Sequence, residues 1–177
     1  MESGRAGMVV NSSGAPPASD AEALQLLKES FPEDVIEIAS PQGDATAVIW
    51  PRALRKILEF LKNDPRLSFE LLADLTAVDY AGRKPRFEVV YHLASLSFKR
   101  RLRIKIRVEE SVAEVDSVTS LWGCANWLER EVWDMFGIGF AGHPGLKRIL
   151  LYEEFKGHPL RKDYPIQKRQ PLIGPRN

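Results

Sequence analysis

The chain has 177 residues, 44% of them hydrophobic and 28% charged, with 25 Lys or Arg against 24 Asp or Glu and a formal net charge of +1. This length allows one domain with a real core, and the charge is too small for the whole molecule to act as a polyanion binder. A single cysteine, Cys124, excludes an intrachain disulfide, and the absence of a CxxC pair leaves no thiolate set for zinc or an iron–sulfur cluster.

Residues 1–20 are rich in Gly, Ser, Ala and Pro without periodicity, and are expected to form a disordered leader. No apolar run approaches the ~18 to 20 residues of a membrane span, and no charged stretch leads into an apolar one as in a signal peptide. The chain is therefore expected to be soluble, in a reducing compartment, and to meet a membrane only indirectly. From Ala21 a short helix is expected, with Asp20 as its cap, Leu24, Leu27 and Phe31 on one face, and an end before Pro32. Val35 to Ala39 and Ala45 to Trp50 read as strands around the turn Pro41-Gln42-Gly43-Asp44.

Pro51 suits the first turn of a second helix, whose Leu54, Ile57, Leu58 and Leu61 fall at i, i+3, i+4 and i+7 before Asn63-Asp64-Pro65 stops it. Phe69 to Tyr80 is mixed in period, with a strand expected toward its end. Arg86 to Ala94 alternates, with Phe87, Val89, Tyr91 and Leu93 on one face. The next strand sets Leu102, Ile104, Ile106 and Val108 against Arg101, Arg103, Lys105 and Arg107, one face core and the other basic. A third helix is expected from Val115 to Phe136, interrupted near Gly123, with Ala125, Leu128, Val132, Met135 and Phe136 inward. The expectation is an α+β domain over residues 21–136. Helices pack on a mixed sheet in the order α-β-β-α-β-β-β, with the third helix and then an extended arm, 137–177, following.

Several residues invite a chemical reading. Glu129, Glu131 and Asp134 on one helix suggest paired carboxylates, but Arg130 and Asp134 are four apart and can pair locally, which favours charge balance or docking over catalysis. His143 and His158 each sit between Gly and Pro, so a turn role outweighs metal ligation. Cys124 has no base near it in sequence and reads as a small core residue. The basic run Lys99 to Arg107 lacks aromatic stacking partners, so a solvated or partner-facing strand is expected in place of a nucleic-acid surface. No phosphate-binding glycine loop or nucleophile elbow is present.

The stretch Glu129 to Pro165 differs from the rest. It carries Phe140, Leu146, Ile149, Leu150, Leu151, Tyr152, Phe155, Leu160 and Tyr164 among prolines and charges. From His143 onward eight Lys or Arg stand against three acids. So many apolar residues on one Pro-punctuated arm imply that a second protein supplies part of their burial.

Glu129, Arg130, Glu131, Asp134, Met135, Phe136, His143, Lys147, Ile149 and Leu150, followed by the block GHPLRKDYP from Gly157 to Pro165, resemble the signature of the complex I 30-kilodalton family, the C subunits of respiratory NADH:quinone oxidoreductase. By position the likeness extends from Leu24 to Pro165. It departs from the family at Gly145, where members often carry an acid.

The resemblance implies a non-catalytic scaffold in the hydrophilic arm of the complex. Such a subunit lies peripherally on the cytoplasmic face of the cell membrane and docks on the quinone-site D subunit and its neighbours. It implies no cofactor in this chain, with NADH, flavin, iron–sulfur clusters and quinone used by the assembly. The docking residues it suggests are Glu129, Arg130, Glu131, Asp134, His143, Pro144, Lys147, Arg148, His158, Pro159, Arg161, Lys162, Asp163 and Tyr164. Because the chain stops at Asn177, its partner is expected as a separate chain. Two alternatives stay open: the equivalent subunit of a hydrogenase-like or ferredoxin-fed sister complex, and a nucleic-acid-binding adaptor.

Overall fold

A computed structural model describes residues 19–170, apart from the side chain of Gln42; residues 1–18 of the expected leader and 171–177 of the expected arm lie outside the described residues. The elements are α1 (Asp20–Ser30), β1 (Val35–Ala39), β2 (Thr46–Ile49), α2 (Leu54–Asn63), β3 (Leu71–Asp79), β4 (Phe87–Ser95), β5 (Arg100–Val108), β6 (Glu114–Asp116), α3 (Ala125–Phe136) and β7 (Gly139–Ala141). Five strands form one sheet in the order β1-β2-β5-β4-β3, and β6 with β7 forms a second. An antiparallel hairpin, β1-β2, and an antiparallel meander, β3-β4-β5, are joined by the parallel pair β2 and β5. The architecture is α+β with a mixed sheet.

The apolar stripe expected on α2 is fully buried: Leu54, Ile57, Leu58 and Leu61 share a core with Leu24 and Leu27 of α1 and with the inner faces of the strands. Those inner residues are Leu102, Ile104, Ile106 and Val108 of β5 and Phe87, Val89, Tyr91 and Leu93 of β4, as the alternation requires. On α1 the cap is Ser19, not Asp20: its hydroxyl accepts from the Glu22 N–H at 3.2 Å, and Asp20 adds charge to the first turn. Phe31 closes that helix edge-on to Phe60, with 5.2 Å between ring centroids.

Three of the four cations expected on the outer face of β5 pair with neighbouring acids. Arg103 pairs with Asp44, Lys105 with Glu88 and Arg107 with Glu37. The long side chains cover Val48 and Val90, which are buried on that face. A strand so paired has few free cations for a phosphate backbone to meet.

The expected helix from Val115 divides. Val115 lies in β6, which pairs in parallel with β7, and α3 starts only at Ala125. The non-helical stretch before α3 is tied to the helix by Glu129. Its carboxylate, with no solvent exposure, accepts from the Ser117 hydroxyl and the Val118 N–H, both at 2.7 Å, and so fixes 117–118 just ahead of the turn at 119–121. The core also continues past the boundary expected at Phe136, because Ile138 and Phe140 are buried in it. Cys124 is exposed, with its Sγ 3.6 Å from the Leu72 carbonyl, which corrects its reading as a core residue. Together with the Trp122 indole N–H on the Glu70 carbonyl, it covers open acceptors along the edge strand β3.

Burial pushes the Glu129 carboxyl up to about 7, against the pull of Val118 and Ser117. The folded chain therefore keeps this proton to higher pH than the unfolded chain. The stability it contributes is complete below the ordinary carboxyl range and is lost as pH rises through about 7. Urea midpoints of the purified chain should fall between about pH 5 and about pH 8, and Glu129→Gln, which keeps both partners, should flatten that slope. An unchanged slope in the variant would place its source elsewhere.

Candidate functional site

Helix α3 ends at Gly137, left-handed with φ of 76°, where a Cβ would come within 2.7 Å of the His158 ring. Glycine there lets the chain reverse and the arm return close against the helix. The return is tied in a constant offset of seventeen residues. The His143 ring meets the Asn126 carbonyl, the Arg130 guanidinium donates to the Lys147 carbonyl, and the Asp134 carboxylate accepts from the Leu151 N–H. The arm thus runs beside α3 in the same direction. Eight helical residues advance only about 12 Å, whereas eight extended ones would reach about 26 Å or more. For this reason the segment is folded into successive turns and is not the extended arm expected over 137–177.

Asp134 is the first anchor and is wholly buried. Its Oδ2 accepts the N–H groups of Ile149, Leu150 and Leu151 at 3.1, 3.0 and 2.9 Å, and its Oδ1 takes the Arg148 guanidinium. Burial alone would raise its pKa, but Leu151, Arg148, Ile149 and Leu150 outweigh it and hold the carboxyl below its usual range. Arg148 also donates to the Phe155 carbonyl at 2.6 Å and lies between the rings of Trp133 and Phe155. Beyond it, the His158 Nδ1 meets the Asp134 carbonyl at 3.0 Å, and the Leu160 N–H donates to the Met135 carbonyl at 3.0 Å.

Asp79, at the end of β3, is the second anchor. It is buried and accepts both Nε and Nη2 of Arg86, at 2.8 and 2.7 Å, and the Lys162 N–H at 2.8 Å. Arg86, then Lys162, hold its carboxyl below the usual range despite burial. Arg86 reaches on to Glu110 and Asp163, and Arg161 joins the same two acids, closing a five-member charge network around the arm. Arg161 and then Arg86 push the Asp163 carboxyl well below its ordinary value. Tyr164 stacks on Phe155 with centroids 6.1 Å apart, and Gln170 bridges the Tyr164 hydroxyl and the Lys156 carbonyl.

The residues read from sequence as one docking face therefore divide in two. Glu129, Arg130 and Asp134 are buried, and Arg148 and Arg161 bond within the chain, so their side chains organise the arm; Asp163 pairs with Arg86 and Arg161 but stays exposed. Arg130 does not pair with Asp134 along the helix but reaches the carbonyls of Lys147 and Arg148. His143, His158, Pro159 and Tyr164 are half-buried, whereas Glu131, Pro144, Lys147 and Lys162 are exposed. Sequence reasoning missed Asp79, Arg86 and Glu110 altogether; the nearest of them is fifty-one residues from its arm partner. Among the described residues, no group of three or more His, Cys, Asp or Glu is placed to hold a metal, and no helix is long and apolar enough to cross a membrane.

Residues 47–170 match the family described as the 30 Kd subunit of respiratory-chain NADH dehydrogenase. The chain belongs to that family. It is 44% identical over 159 residues to the NADH-quinone oxidoreductase C subunit of Citrifermentans bemidjiense, covering 89% of this chain and 98% of the relative. It is 46% identical over 147 residues to the corresponding C subunit of a Roseiflexus species, covering 83% and 84%. Among solved structures, a trypsin-resistant fragment (1–134) of Nqo5 aligns with a TM-score of 0.62 at 32% identity, over 71% of this chain and 98% of the fragment. A chain of the archaeal membrane-bound sulfane sulfur reductase complex aligns with a TM-score of 0.69 at 23% identity, over 83% and 86%, which shows a shared fold. The match to the complex I family runs through both anchors and the arm.

Replacing Asp134 by Ala strands Arg148 and three N–H groups, and is expected to destabilise the purified chain by about 3 to 5 kcal/mol. Trypsin should then cut faster at Lys147, Arg148 and Lys156, read by mass spectrometry. Wild-type cleavage in the variant would mean that Asp134 does not order the arm.

Proposed function

We propose that this chain is a non-catalytic hydrophilic-arm subunit of proton-translocating NADH:quinone oxidoreductase, and that it docks on the quinone-site D subunit through the latched arm. In this reading the chain holds no cofactor; NADH, flavin, iron–sulfur clusters and quinone belong to its partners. It lies on the cytoplasmic face of the cell membrane only through them.

The observation that carries the docking reading is the arrangement of the arm itself. Its main chain is held from behind by Asp134, Asp79 and Met135, while Leu150 and Leu160 are 60% and 51% exposed on its outer side. Trp127 of α3, 60% exposed, stacks on Arg130 beside the Lys147 carbonyl and extends the surface. Ordering a turn-rich segment around buried ion pairs only to leave its leucines in water makes sense if another protein covers them.

The shared fold with a chain of the sulfane sulfur reductase complex keeps a sister assembly as the second reading. The identity of 42 to 46% to relatives named as C subunits of NADH-quinone oxidoreductase supports the NADH-linked one. The pairing of Arg103, Lys105 and Arg107 with acids on the face of β5 argues against a nucleic-acid adaptor.

Leu150→Ser with Leu160→Ser leaves the anchors in place, so the circular dichroism spectrum should stay that of wild type. Recovery of the partner subunits with the tagged chain, and the quinone reductase activity that comes with them, should fall at least about 10-fold, since each buried leucine contributes about 1.5 to 3 kcal/mol. Undiminished recovery would exclude the arm's outer side as the docking surface. Recovery of hydrogenase-type subunits by the wild-type chain would favour the sister assembly.

A further inference from the structure

The arm's internal bonding sorts its charges. The arginines Arg148 and Arg161 are paired within the chain, Arg148 with buried Asp134 and Arg161 with Asp163 and Glu110. Lys147, Lys156, Lys162, Lys168 and Arg169 are exposed and have no carboxylate partner among the described residues; Lys168 only rests over the Tyr164 ring, 5.2 Å from its centroid. Glu131 of α3 and Glu153 are the exposed acids nearest in sequence to this surface that pair with no cation among the described residues, so five cations outnumber them. These cations lie on the same segment as exposed Leu150 and Leu160, and Lys147 sits across Arg130 from exposed Trp127.

This differs from the basic strand β5, where three of the outward cations each have an acid. Exposed leucines and lysines on one segment, the lysines not neutralised by acids of the described residues, are complementary to one kind of surface. The geometry points to a partner protein surface that is acidic around an apolar centre, with Lys147, Lys156 and Lys162 steering its approach. This rests on the docking reading above and adds the chemistry of the partner's face. Charges at an interface rim act on the association rate and its salt dependence more than on dissociation.

The test is the association of the full-length chain with the purified quinone-site subunit from the same organism, followed by surface-based kinetics from about 50 to about 500 mM NaCl. Wild-type association should slow about 10-fold or more across this range. Lys147→Glu with Lys156→Glu and Lys162→Glu should associate at or below the wild-type high-salt rate at every salt concentration, with dissociation changed less than about 3-fold. A control with the same change of net charge on α1 and α2, Lys28→Glu with Arg55→Glu and Lys56→Glu, should keep the wild-type salt dependence.

Binding of normal affinity whose rate ignores salt, or a control variant as slow as the arm variant, would overturn the acidic partner surface while leaving arm docking intact. Failure of the wild-type chain to bind the quinone-site subunit at all would overturn the docking reading itself. Capture of the wild-type chain by anionic vesicles, lost in the arm variant, together with salt-independent binding to the quinone-site subunit, would assign the lysines to a lipid surface and overturn the proposal.

Discussion

Asp134 places a full negative charge where no water reaches it, and such a transfer costs several kcal/mol unless donors surround the group. The donors here are three consecutive main-chain N–H groups and one guanidinium, all from residues 148–151. The requirement acts in both directions. The carboxylate needs this stretch of arm folded against α3, and the stretch, whose N–H groups would otherwise need other acceptors, needs the carboxylate. From that contact the path of the arm follows: Arg148 draws in the Phe155 carbonyl, Phe155 supports Tyr164, and the chain is delivered to the second anchor at Asp79.

Two buried acids five residues apart on α3 show how the donor set decides the state of a carboxyl. Both have lost water. Glu129 receives one hydroxyl and one N–H, both neutral, and burial prevails, raising its pKa to about 7. Asp134 receives three N–H groups and an arginine, and those prevail, lowering it. The two buried members of the acid trio that invites a catalytic reading are therefore two separate structural devices. One fixes the stretch before the helix and the other fixes the arm after it.

Much of the fold was legible because local periodicity reports on burial. The α2 stripe and the alternation of β4 and β5 place their residues where the core holds them, since every side chain in those patterns points by backbone geometry alone. What was not legible depended on partners distant in sequence. The β6 residues read as helix because their strand partner, β7, lies beyond α3. Asp79 and Arg86 carried no local sign of a role, since what gives them one is Lys162 and Asp163, roughly eighty residues on. For the signature residues in the arm, charge pattern alone could not separate Arg148 and Arg161, which pair with acids of the chain itself, from Lys147 and Lys162, which stay exposed. Only the anchors make that division.

The docking proposed for this segment would make two demands on it. A docking surface must be ordered before binding if association is not to bear the full entropy of fixing it, yet its side chains must remain uncommitted. Holding the arm through main-chain N–H groups at Leu150 and Lys162 satisfies both, because a residue pinned by its backbone keeps its side chain for the outside. The same logic accounts for the glycines at the two tightest approaches. At Gly137 and Gly157 a Cβ would meet the His158 and Tyr164 rings within 2.7 and 2.8 Å, and both positions have positive φ. Backbone and ring can close there only because glycine brings no side chain of its own. The arm is held closely where it faces the helix, while Leu150 and Leu160 stay exposed.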